Sequence, residues 1–91
     1  MEARTRVVIT GRVQGVGFRA WAVQQARTLG LRGWIRNRAD GAVEAEMAGD
    51  PDAVARMRDL LAQGPPLARV ERLVDEQPGV ESLPDTFQTV W

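Results

Sequence analysis

The stretch Gly11-Arg12-Val13-Gln14-Gly15-Val16-Gly17-Phe18-Arg19 constrains the fold most, because it passes from one kind of backbone to another through three glycines. Ahead of it lies Arg6-Val7-Val8-Ile9-Thr10, β-branched and apolar, and behind it Phe18 to Leu29 contains neither Gly nor Pro. A strand therefore runs into a helix here. A glycine-bearing turn entering a helix can aim several backbone N–H groups at one point, where the helix dipole also favours negative charge. Arg19, at the start of the helix, adds a planar fork of donors suited to a phosphate. The segment reads as an anion cradle or as an ordinary strand-to-helix turn, and the rest of the chain must decide.

The remaining elements follow from local signals. Arg4 to Arg12 is the first strand, and Phe18, Ala22, Ala26 and Leu29 give helical spacing up to Gly30, which sits where a left-handed C-cap belongs. Leu31 to Arg38 and Ala42 to Ala48 read as strands joined by Ala39-Asp40-Gly41, whose Asp-Gly pair is a hairpin signal. Asp50-Pro51 opens a second helix with the buried stripe Val54, Met57 and Leu61, an expected Asp52–Arg56 pair, and a stop at Gly64-Pro65-Pro66. Ala68 to Gln77 reads as a fourth strand in which Val70 and Leu73 are out of phase, so a bulge is expected. A turn-rich segment at Pro78 to Pro84 leads to a short closing strand from Phe87 to Trp91. The order β-α-β-β-α-β plus a terminal strand predicts an α+β fold, a ferredoxin-like α/β sandwich with an antiparallel sheet carrying both helices on one face. Residues 1–91 read as a single domain, with no linker or repeat.

Composition removes most catalytic chemistry. The 91 residues include no cysteine, histidine or tyrosine, and every one of the 12 basic residues is arginine. Thiolate and lysine nucleophiles, imidazole bases and Cys/His metal sites are all excluded. Ser82 is the only serine and has no partner base, so a hydrolytic triad is excluded as well. What remains is arginine, amides, carboxylates and backbone. Net charge is +0, which gives no reason to expect a nucleic acid or an anionic membrane as partner. Without an apolar leader region, a soluble cytoplasmic protein is expected.

Gly15-Val16-Gly17-Phe18-Arg19-Ala20 fits G-x-G-x-x-A between a strand and a helix, yet a dinucleotide site needs a parallel crossover and an acid at the end of the second strand. Here the second strand turns straight back through Asp40-Gly41 and ends in Arg36-Asn37-Arg38. No Gly-Lys-Ser/Thr is present for a Walker loop. A phosphate group survives these tests as ligand, and a whole nucleotide does not. Asn37 shares strand parity with Ile35, which points its amide toward the helix-covered side. It either ends the strand and prepares the turn, or holds a water by donating and accepting at once.

These residues resemble the acylphosphatase family. Ile9 to Arg19 is similar to the family's first signature, G-x-V-Q-G-V-x-F-R after a branched apolar residue. Gly33-Trp34-Ile35-Arg36-Asn37 with Gly41, Val43 and Gly49 looks like the second, with Ile35 where a smaller residue is usual. Trp91 stands where such chains often end in tyrosine. The resemblance implies hydrolysis of the carboxyl-phosphate bond of acyl phosphates without metal or organic cofactor. It implies that the backbone of Val13, Gln14, Gly15, Val16, Gly17 and Phe18 and the guanidinium of Arg19 bind the phosphoryl oxygens, and that Asn37 orients the attacking water. Arg12, Arg36 and Arg38 either widen the positive field or are simply solvated, and Phe18, Trp21 and Trp34 read as packing residues. The alternative is a non-catalytic module that binds or senses phosphate or an acyl phosphate on the same cradle. An RNA-binding sheet is disfavoured, because strand three is expected to offer Glu44 and Glu46 to solvent. A monomer acting on small molecules is the expected state.

Overall fold

Strand parity decides which face of the sheet is covered in the computed structural model, which describes residues 1–90. β1 (Ala3–Arg12) lies between β3 (Val43–Gly49) and β4 (Arg69–Glu76), while β2 (Arg32–Asn37) pairs with β3 on one side and β5 (Gln88–Thr89) on the other. The strand order is β4-β1-β3-β2-β5. Rows of cross-strand partners such as Val7–Ala45–Ile35 put fully buried side chains on one face. α1 (Phe18–Thr28) covers that face over β2 and β5, and α2 (Pro51–Gln63) covers it over β1, β3 and β4. Phe18, Met57, Leu61 and Phe87 complete the core, each contributing roughly 1.5–3 kcal/mol by burial.

The local signals act as expected at the helix ends. Leu31 N–H donates to Ala26 O and Gly30 N–H to Arg27 O, closing α1 with Gly30 at φ 70°. Asp50 Oδ1 accepts from Asp52 N–H at 2.8 Å, and Pro51 follows at the first helical position of α2. The Asp52–Arg56 pair does not form. Arg58 instead reaches β4, where it pairs with Asp75 at 2.6 Å at the exposed edge of the sheet.

β4 carries the expected bulge. Thr10 faces Arg72 but Gly11 faces Val70, so Glu71 is the extra residue, and the slip turns both Val70 and Leu73 toward the core. Gly11 thus belongs to β1 and serves the bulge rather than the loop. A Cβ on it would lie 2.2 Å from Arg69 O.

Two expectations are corrected on the face opposite the helices. β5 runs parallel to β2, so the sheet is mixed, because the chain after β4 crosses the whole sheet before it reaches the far edge. That crossing segment, residues 77–87, covers strand three: Gly79 N–H donates to Glu46 at 3.2 Å, and Leu83 is buried. Glu46 is 0% exposed and Glu44 only 4%, instead of facing solvent. Their charges are met across the strands, Glu46 by Arg4 and Arg6 and Glu44 by Arg36 at 2.6 Å. Arg6 and Arg36 also stack on Trp34, 5.5 and 5.8 Å from its ring. β5 is shorter than the strand expected from Phe87 to Trp91: Phe87 packs into the core ahead of it, and Trp91 lies outside the described residues.

Candidate active site

One end of the sheet brings the sequence-derived residues together. Ile9, Val43 and Asn37 form a row across β1, β3 and β2, and Ile9 and Val43 are fully buried beneath the helices. Asn37 therefore shares the helix-covered side. β1 leaves this row within a few residues and enters the loop 13–17, so the loop and Asn37 lie at the same end of the sheet.

The loop takes its shape from two left-handed glycines. Gly15 has φ 73° and Gly17 φ 78°, while no other residue type has positive φ, so the sign of φ alternates from Gln14 to Phe18. Such alternation turns successive N–H groups toward one concave side. Gly17 is also the N-cap of α1, and no side chain caps it. No acidic residue lies in the first turn either, so the helix N-terminus keeps its positive end for an anion. Val13 and Phe18 anchor the loop in the core at 1% exposure each, and Val16 packs partly against it. Phe18 meets Trp21 edge to face at 5.5 Å. Arg19 occupies the first turn of α1 and is half-buried.

Asn37 carries an unusual feature. Its Oδ1 is buried without a hydrogen-bond partner among the described residues. An unsatisfied buried acceptor costs about 1–3 kcal/mol, so a donor brought there is favoured. Beside it the hairpin 38–42 is closed by Arg38 N–H to Ala42 O at 2.8 Å and by Ala42 N–H to Asp40 Oδ1 at 3.0 Å. An open depression of about 440 Å³ lies against the hairpin, lined by Arg36, Asn37, Arg38, Ala39, Asp40 and Glu44. Arg36 and Arg38 are not simply solvated there: Glu44 and Asp40 partner them, which reduces the positive field they could lend. Arg12 is exposed. The sequence did not reveal that the Gln14 side chain reaches the hairpin, since only the folded chain brings those carbonyls within range.

A model of the acylphosphatase family matches residues 5–89 of the chain. The chain belongs to the acylphosphatase family. It is an enzyme, with the family's activity of acyl-phosphate hydrolysis. Among acylphosphatases it is 53% identical over 78 residues to one from Bradyrhizobium diazoefficiens, covering 86% of this chain and 79% of that one. It is 50% identical over 90 residues to acylphosphatase 2 of Ralstonia nicotianae, covering 97% and 95%. The crystal structure of acylphosphatase from Bacillus subtilis superposes with a TM-score of 0.89 at 32% identity, each chain covered completely. The ferredoxin-like fold and the acylphosphatase signatures thus agree.

Proposed function

We propose that this acylphosphatase holds the phosphoryl group with the backbone N–H groups of residues 13–18 and the guanidinium of Arg19, while Asn37 orients the attacking water. The observation that carries this reading is the partnerless, buried Oδ1 of Asn37 at the end of the sheet where the loop of alternating φ begins. An amide oxygen that accepts one water hydrogen leaves a lone pair of that water free for phosphorus.

The chemistry suits a site built from arginine, amides and backbone. Water attacks phosphorus, the bond from phosphorus to the acyl oxygen breaks, and the carboxylate leaves with that electron pair. The water's proton passes to a phosphoryl oxygen, giving inorganic phosphate. A carboxylate is a good leaving group, so no strong general acid is required, and positioning with charge stabilisation supplies most of the rate. The substrate's own phosphoryl oxygen as proton acceptor explains how a chain without histidine works at neutral pH.

The proposed setting is a single domain over residues 1–91, acting as a cytoplasmic monomer on small acyl phosphates of varied acyl group. Zero net charge offers no attraction to nucleic acid or an anionic membrane, and no helix among the described residues is long and apolar enough to cross a bilayer.

Hydrolysis of benzoyl phosphate in the presence of chelator tests the reading. Turnover is expected to persist with chelator, and to fall by about 10²-fold or more in folded Arg19→Ala, as when an oxyanion donor is lost. Asn37→Ala should lose turnover while its affinity for inorganic phosphate stays nearly intact. Phosphate binding without turnover in the unaltered protein, or a phosphate affinity that depends more on Asn37 than on Arg19, would overturn the assignment.

A further inference from the structure

The Gln14 side chain uses both hydrogens of its amide on main-chain carbonyls of the hairpin: Nε2 donates to Arg38 O at 2.8 Å and to Ala42 O at 2.9 Å. Arg38 follows Asn37 in sequence, and Ala42 precedes Val43, the cross-strand partner of Asn37. Gln14 thus grips the two sides of the hairpin at the positions that flank this pair. The hairpin itself does not need the grip. It is closed by Arg38 N–H to Ala42 O, by Gly41 N–H to Arg38 O at 3.2 Å, and by the Asp40 side chain. What the two bonds add is a fixed separation between the loop 13–17 and the end of β2.

We infer that Gln14 is a positioning residue whose side chain sets the distance between the phosphoryl group held by the loop and the water held by Asn37. This rests on the division of roles proposed above. The loop keeps its own curvature through the left-handed glycines and its anchors Val13 and Phe18, so phosphate binding does not depend on the grip. The line of attack does, because it joins a group on the loop to a group on β2. In-line displacement is sensitive to such spacing, since a misplacement of about 1 Å can cost on the order of 10²-fold in rate. The side-chain amide suits this role: both acceptors are carbonyl oxygens, so the partner must offer two hydrogens from one atom, which neither a carboxylate nor a thioether can.

The experiment compares Gln14→Met, close in length and without a donor, with Gln14→Asn, which keeps the amide but is one methylene shorter. Each is measured with benzoyl phosphate for kcat and KM and with inorganic phosphate as inhibitor, in the native background and in Asn37→Ala. In the native background Gln14→Met is expected to lower kcat by about tenfold or more, with phosphate inhibition changed less than about twofold. Gln14→Asn should fall between it and the unaltered protein. In the Asn37→Ala background the further loss should shrink to less than about twofold, because the group being positioned is gone. Equal losses in both backgrounds, phosphate affinity falling in step with kcat, or unchanged kcat in whichever Gln14 variant folds would each overturn the inference. If the unaltered protein hydrolyses benzoyl phosphate in an Asn37-dependent way while the Gln14 variants match it, this inference alone fails; if the unaltered protein shows no turnover, the proposed mechanism fails with it.

Discussion

Gly15 separates the cost of a conformation from the cost of a contact. Its φ is 73°, and a Cβ there would meet nothing within 4 Å, so alanine is opposed by backbone conformation alone. That strain is about 1–2 kcal/mol for an L-residue in the left-handed region, or roughly 4–16 °C in Tm for a domain of this size. If the loop relaxes to relieve it, at least one N–H leaves the concave side. Loss of one charge-assisted hydrogen bond corresponds to about tenfold or more in phosphate affinity. Gly15→Ala is therefore expected to remain folded, melt modestly lower and bind inorganic phosphate about tenfold more weakly, as read by thermal melts and calorimetric titration. A variant that melts lower yet binds phosphate like the unaltered protein would assign Gly15 to the fold alone. Arg19→Lys should restore little of what Arg19→Ala loses, because an ammonium cannot present two parallel donors to a phosphoryl group.

At the level of elements, Gly11 shows a second reason for glycine, close approach of backbone added to a positive φ of 124° within a strand. A Cβ would come within 2.2 Å of Arg69 O and 2.7 Å of Glu71 N, both backbone atoms of the bulged strand, which have nowhere to move without breaking the β1–β4 ladder. Gly11→Ala is expected to cost about 2 kcal/mol or more, seen as a lower denaturant midpoint, with turnover per folded molecule largely retained. A midpoint unchanged from the native protein would mean that β4 slides without penalty. The sequence displayed this bulge through the phase slip between Val70 and Leu73, yet it also placed Gly11 in the cradle, because nothing local says that β4 packs against that glycine. The same boundary runs through the whole chain. Asp50-Pro51, Asp40-Gly41 and Gly30 act within their own turn and were legible. The Gln14 grip on the hairpin and the burial of Glu44 and Glu46 depend on segments distant in sequence and were not. Asn37 lies between these cases, since parity gave the direction of its side chain and only the folded row Ile9–Val43–Asn37 gave its place beside the loop.

For the molecule as a whole, the uncommitted face of the sheet is closed by residues 77–87 around a buried carboxylate. Burial alone would push the Glu46 carboxyl up. Hydrogen bonds from Arg6, Arg4 and the Gly79 N–H outweigh that effect and hold it below the ordinary glutamate value. A carboxyl with a folded-state pKa below its unfolded value of about 4.3 contributes stability that is fully present above that value and is lost as pH falls through the folded pKa. Asp75, lowered by its hydrogen bonds from Arg58, titrates with the same sign, but both partners are well exposed and solvent screens the pair. Acid sensitivity should therefore centre on Glu46. Near pH 7, Glu46→Gln is expected to be less stable than the native protein by roughly 3 kcal/mol, because two arginines lose their anion and one of the two carboxylate oxygens facing the Gly79 N–H becomes a donor. As pH falls below about 4.3 toward the folded pKa, the native protein progressively loses that advantage while the variant has nothing to titrate there, so the gap between the two melting temperatures should narrow. Thermal melts of both proteins between pH 7 and pH 3 read this directly. A gap that stays constant across the range would show that the charge of Glu46 does not hold the crossing segment, and that its hydrogen-bond geometry alone does.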